Sequence, residues 1–200
     1  MAIEKLALAA SDFHVRGGVQ YIGITEFSDI AGGNYTGQTV FTSTAGNHSC
    51  NLQQATAGSN IEFHLLEARQ GSASLTQTGS KDGSTIMYEQ TLTFFAPNVK
   101  DDTLSAIEKI GNEQCVAIIQ MFSGEKLVMG ASEKYKDSSD DFNVKHYARL
   151  SSVEVNTGAA LGDDNGVTVT LTCTSGELVR SLSSTLDIDS SGGTITIAKA

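Results

Sequence analysis

The 200-residue chain carries 23 acidic against 13 basic residues, a formal net charge of -10, with 40% hydrophobic and 18% charged residues. That balance repels phosphate backbones and lacks the basic footprint of a protein that grips nucleic acid, although ordinary solubility explains it as well. Twenty glycines, one proline and no tryptophan, among abundant serine and threonine, point to many strands joined by polar turns and exclude a proline-rich linker. Cys50, Cys115 and Cys173 are odd in number and far apart, which argues against a zinc ribbon, a thioredoxin-like site or a disulfide framework and for a reducing site of synthesis.

In chain order, the tract from Met1 to Ala10 is apolar but contains Glu4 and has no basic leader, so it reads poorly as a secretion signal. No run approaches the roughly 18 apolar residues of a membrane span. The triplets Asn34-Tyr35-Thr36 and Asn47-His48-Ser49 are then chance matches to a glycosylation site. Val19 to Thr25 predicts a strand after Gly17-Gly18, followed by a turn at Gly32 to Asn34 and a short strand within Gly37 to Ser43. From Asn60 to Glu67, Ile61, Phe63 and Leu65 alternate with Glu62 and His64, the pattern of a half-buried strand.

Gly71 to Gly83 is rich in serine, threonine and glycine and reads either as an exposed loop or as a long hairpin arm. Met87 to Phe95 alternates like a strand and stops at Ala96-Pro97-Asn98. A short helix is expected over about residues 102–111, with Asp101 and Asp102 capping its start and Leu104, Ile107 and Ile110 on one face. Too short to persist alone, it should pack on a sheet, as a lid across an open end. Cys115 to Gly130 predicts a hairpin around Ser123-Gly124, and Glu133 to Asp141 a solvated loop. Strands are expected over His146 to Val155 and Val167 to Thr174, joined through the turn signal Asp164-Asn165-Gly166. Ser184 to Asp189 and Gly193 to Ile197 predict a final hairpin. The chain reads as one mainly β domain over residues 1–200.

Chemistry-bearing motifs are weak. Asp187 to Gly192 begins like an EF-hand loop, but the twelfth position falls on Ala198, which cannot ligate calcium. Asp163-Asp164 and the cluster at Asp137 to Asp141 lie in polar turns, where carboxylates stay solvated and ordinary. His14, His48, His64 and His146 are scattered, and neither H-E-x-x-H nor G-x-S-x-G occurs. Gly79-Ser80-Lys81 lacks the upstream spacing of a phosphate loop, and Tyr88, Phe94 and Phe95 belong to a strand rather than a base-stacking platform. No catalytic, cofactor-binding or metal-ligating residue is assigned, and no cofactor is expected.

The order of elements at Thr91 to Phe95, the short helix, the Cys115 to Gly130 hairpin, and then Gly158 to Gly166 leading into Val167 to Cys173, resembles that of bacteriophage tail tube proteins. The resemblance spans about residues 86–174. It implies a β-sandwich or barrel with one flanking helix, whose copies join into rings, usually hexamers, that stack as a hollow tube passing genomic DNA. The implied partners are the chain itself and other tail or neck proteins, with DNA as a transient, non-specific passenger and no membrane insertion. The implied location is the virion tail, after synthesis in the host bacterial cytoplasm. The 71–83 segment, and next the Asp137 to Asp141 loop, are the expected levers of assembly. A neck or connector ring of a short-tailed phage and a receptor- or glycan-binding β-sandwich are the alternatives.

Overall fold

The computed structural model describes residues 17–31, 40–44, 47–52, 61–66, 68–135, 146–160, 162–189 and 194–197. Strands account for 58% of the structure and helices for 12%, far above the usual strand share of about 20–25%, so the chain is mainly β as its composition indicates. In chain order the elements are β1 (Val19–Glu26), α1 (Phe27–Ala31), β2 (Phe41–Thr44), β3 (Asn47–Cys50), β4 (Glu62–Leu66), β5 (Ser74–Asp82), β6 (Thr85–Pro97) and α2 (Asp101–Asn112). After α2 come β7 (Cys115–Met121), β8 (Lys126–Met129), a 3-10 turn (Glu133–Tyr135), β9 (Arg149–Asn156), β10 (Gly166–Ser175), β11 (Arg180–Leu182), β12 (Leu186–Asp189) and β13 (Thr194–Ile197).

The strands form two sheets. The larger has nine in the order β12-β13-β4-β1-β7-β8-β11-β3-β2, and the smaller has four, β5-β6-β10-β9. All pairings are antiparallel except that of β11 with β3. The run Cys115 to Ile119 explains the layering. Val116 and Ile118 face one core, with Phe63, Val128, Leu182, Ile195 and the α1 residues Phe27 and Ile30. Cys115, Ala117 and Ile119 face a second, with Ile22 and Ile24 from β1 and Leu92, Phe94, Val169 and Leu171 from the small sheet. A strand covered on both faces has no polar positions to alternate. The large sheet curls around the first core and stacks its outer face on the small sheet through the second.

The hairpin alternative for residues 71–83 is the one formed: β5 pairs with β6 from Ser74↔Thr93 to Asp82↔Thr85. Its tip is a two-residue turn at Gly83-Ser84, with Gly83 at φ +58°, where a side chain would be strained. Helix α2 matches its predicted span to within a residue at each end but departs from it in two details. Asp101 and Asp102 lie in the first turn while Lys100 is the N-cap, with no side-chain cap hydrogen bond; the carboxylates favour the helix through its dipole instead. Ile107 enters the second core and Ile110 packs at its edge, whereas Leu104 stays 38% exposed. The helix lies against β9, where Leu150 approaches Gly111.

The short helix α1 and strands β3 and β11 carry no clear periodicity and are additions to the predicted elements. The turn at Gly32 to Asn34, the tract from Met1 to Ala10 and the Asp137 to Asp141 cluster lie outside the described residues. Gly166 opens β10 where a Cβ would come within 2.5 Å of the Ala96 carbonyl and 2.4 Å of the Phe95 ring. Gly166→Ala therefore has to displace backbone, and a loss of about 1–3 kcal/mol is expected in urea unfolding.

Candidate assembly surface

The small sheet has one sealed face and one open face. Cross-strand register places Leu75, Leu92, Leu171 and Leu150 in a row across all four strands on the sealed side. The opposite face carries Thr76 and Thr78 from β5, Thr91 and Thr93 from β6, and the run Thr168, Thr170, Thr172 and Thr174 from β10. Such β-branched hydroxyls suit a pleated surface in water, and Thr93 and Thr170 lie within hydrogen-bond distance, 3.5 Å, across the strands. The same face bears Glu89 and Glu154. Arg149, level with Thr172, donates to the Tyr147 hydroxyl and stacks on that ring but keeps its positive charge on this face, and Phe95, level with Thr168, lies there too. The face is mainly hydroxylic with charges of both signs.

Among the described residues, neither edge of this sheet, β5 or β9, has a partner strand. Antiparallel pairing at each step makes β5 and β9 run in opposite directions. The strands are also offset. Leu75 and Leu150 sit in the same row near the start of their strands, so β5 runs from that row toward the hairpin tip while β9 runs the other way. On the sealed side of β9, Val153 and Val155 reach beyond the second core and are 40% and 49% exposed. An edge strand with apolar side chains left over is a template for association.

The sequence reading missed a polar centre around Arg180, which is 1% exposed. Its Nε and Nη2 donate to the two Glu177 oxygens at 3.1 and 2.7 Å, and Nη2 reaches Glu133 Oε2 at 2.7 Å. Nη1 donates to the carbonyls of Thr42 and Ser49, and the guanidinium lies 5.1 Å over the Phe41 ring. Glu177 also accepts from Ser132 Oγ and the Glu133 amide. One cation thus ties β2, β3, β11 and the 3-10 turn together. Burial pushes the Glu177 carboxyl up, but the Arg180 and Ser132 hydrogen bonds, the Arg180 charge and the Glu133 amide outweigh it and hold the group below the usual carboxylate range. Burial works against the Arg180 charge too, but the same contacts outweigh it and raise the Arg180 pKa, so Glu177 and Arg180 hold each other charged and fasten these strands. Glu133, expected in a solvated loop, is instead a partner of a buried arginine. Only an arginine inside the apolar spacing of Leu178 to Leu182, beside Glu177, hinted at it.

His146 Nε2 sits 3.4 Å from Cys173 Sγ. Burial pushes the Cys173 thiol up to about 12 and the His146 imidazole down to about 4, against a smaller opposing effect of the Glu177 charge. Both groups are neutral at pH 7, so the pair lacks the thiolate that nucleophilic chemistry needs. Burial likewise raises Cys115 to about 11 and Cys50 further still; the three thiols are free and buried. His48 Nε2 lies 3.0 Å from the Leu178 carbonyl, and His64 is exposed on β4, an interior strand; His14 lies outside the described residues. Asp163 accepts from the Ala159 and Ala160 amides, which lower its pKa, and Asp164 pairs with Arg69 at 2.5 Å; both order a turn. Asp187 lies on β12, and residues 190–193 of the EF-hand-like stretch are outside the described ones. Among the described residues no group of three or more His, Cys, Asp or Glu is placed to hold a metal ion. Nor is any helix among them long and apolar enough to cross a membrane.

Removing Arg180 strands two carboxylates. Arg180→Met should cost about 3–5 kcal/mol in urea unfolding at pH 7, and Arg180→Met with Glu177→Gln should cost less than the single change. His146 titrates near its ordinary value when unfolded and near 4 when folded. Between those pH values the unfolded chain binds the extra proton, so its contribution to stability falls as pH drops from about 6.5 to about 4, by up to about 3 kcal/mol. His146→Gln should flatten the unfolding free energy across that window; an unchanged slope would assign the acid sensitivity elsewhere.

Comparison with protein-family models, with curated proteins and with solved structures finds no match to the chain, so its function is argued from these edges and faces.

Proposed function

We propose that the chain is a structural virion protein whose copies join edge to edge into closed rings that stack as the tail tube of a bacteriophage, around a channel for DNA. The observation that carries this reading is the pair of open edges on the small sheet. They have opposite strand direction, so β9 of one copy set beside β5 of the next continues the antiparallel alternation and leaves no free edge in a closed ring.

The offset between the edges has the size that closure needs. Bringing β9 fully abreast of a neighbour's β5 requires a slide of about four residues per four-stranded unit, or about one residue per strand. With about 3.4 Å per residue and about 4.8 Å between strands, that slide tilts the strands by roughly 35°, at the lower end of the barrel range. The hand fits as well. The two-residue turn after Asp82 makes Asp82↔Thr85 a hydrogen-bonded pair, which fixes the side of β5 on which β6 lies for a viewer on either face. The slide then has the right-handed sense of twisted strands only with the threonine face inside. A channel wall of threonines with Glu89, Glu154 and the single arginine Arg149 offers passing DNA no clustered cationic patch to adhere to. In this arrangement Leu75 faces Val155, Gln77 faces Val153, and Thr78 faces Ser152 of the adjoining copy.

The slide fixes the tilt and not the number of copies; six is the number the tail-tube resemblance implies. The proposed partners are the chain itself and neighbouring tail proteins, and the proposed location is the virion tail. Electron microscopy across a concentration series, with solution mass, should show rings or tubes with a central channel. Thr78→Cys with Ser152→Cys should give a disulfide-linked ladder of copies on oxidation, because a directly opposed antiparallel pair places the Cβ atoms within bonding reach. A monomer or a compact trimer at every concentration would sink the ring.

A further inference from the structure

A groove of about 200 Å³ opens between the two sheets on the β5 side, with Val19, Ile22, Ala73 and Phe122 on its apolar part and Gln20, Arg69 and Gln70 on its polar part. It is the mouth of the second core, since Val19, Ile22 and Ala73 are buried members of that core and Leu66 packs at its edge. Phe122 forms its outer wall and is 41% exposed. At the other end of the same sandwich, Val153 and Val155 project from β9 on the core-facing side and are 40% and 49% exposed. The molecule therefore has a partly apolar recess beside one sheet edge and exposed valines beside the other.

We infer that this groove is the receptor for Val155 of the adjoining copy, making the ring joint a knob-in-groove contact rather than backbone pairing alone. The inference rests on the ring reading above, and the same register supplies its geometry. With Val155 opposite Leu75, its side chain falls on the core-facing side, next to Leu75 and two residues from Ala73. Val19 and Ile22 of β1 line the groove together with Ala73. The second core then continues from copy to copy through each joint, and the knob that is half exposed in a single chain is covered only in the ring. Val153, opposite Gln77, follows it along the mouth. Gln77 is held in place by accepting from the Val179 amide at 3.1 Å and donating to the Glu177 carbonyl at 3.3 Å, so the neighbouring wall of the joint is already rigid.

The test is assembly of the full chain. Val155→Asp should leave the thermal midpoint of the unassembled protein unchanged and raise the concentration needed for ring formation at least tenfold, while Val155→Leu should assemble. A short bismaleimide should link copies carrying Phe122→Cys and Val155→Cys, with the Thr78→Cys and Ser152→Cys pair as the reference for the strand joint. If Val155→Asp assembles at the wild-type concentration, or the Phe122–Val155 pair fails to link while the Thr78–Ser152 pair does, the groove inference is overturned and the ring stands. If neither pair links in assembled material, the β5–β9 joint is wrong and the inference falls with it. Should Val155→Asp lower the thermal midpoint of the unassembled chain, the cross-linking result decides.

Discussion

Strand β7 is sandwiched between two hydrophobic layers, and the architecture follows from that double burial. Val116 and Ile118 are needed by the curled core, and Cys115, Ala117 and Ile119 by the core under the small sheet. Each of these five side chains is essentially inaccessible to water, so neither layer can slide past the other without exposing apolar surface. The small sheet is thereby pinned by one face only. Its other face has to be polar, which is where the threonines lie, and its outer strands extend past the layer beneath them.

The β11-β3-β2 end of the large sheet depends on a different kind of contact. Strands β2, β3 and β11 are short, and β11 pairs in parallel with β3, an arrangement with few ladder hydrogen bonds of its own. Arg180 compensates by bonding to carbonyls on β2 and β3 and to carboxylates of Glu177 and Glu133. A buried guanidinium is costly to desolvate, and two carboxylates, two carbonyls and an aromatic face are what make its burial tolerable. Hydrogen bonds with fixed directions also specify which short strands meet, which apolar contacts alone do poorly.

The assembly reading joins these two features. A sheet held by one face, with two edges open among the described residues and apolar side chains beyond the core, is a template for association. In the proposed ring, the slide that would bring β9 abreast of a neighbour's β5 would also set a barrel-like tilt and would turn the threonine face toward the axis. Tilt and edge polarity are independent properties of the sheet, and both are compatible with that proposal.

What the sequence by itself determined were the local elements with strong periodicity and the mainly β class. Strict alternation from Met87 to Phe95 and from Val167 to Thr174, the amphipathic run after Lys100, and the two glycine-marked hairpins at Gly124 and after Asp189 were all legible, because their information lies within a few residues. The four-stranded sheet could not be read this way, since β5 is a serine- and threonine-rich strand with little apolar contrast and only its pairing with β6 reveals it. Nor could the Arg180 centre, whose partner carbonyls and Glu133 come from distant parts of the chain. The fate of Leu104 was likewise decided by tertiary structure: it shares a helical face with Ile107, yet Ile107 is buried while Leu104 stays 38% exposed. Which edges stay open, how far they are offset and where the groove falls are properties of strand order, and strand order is set by packing between segments distant in the chain.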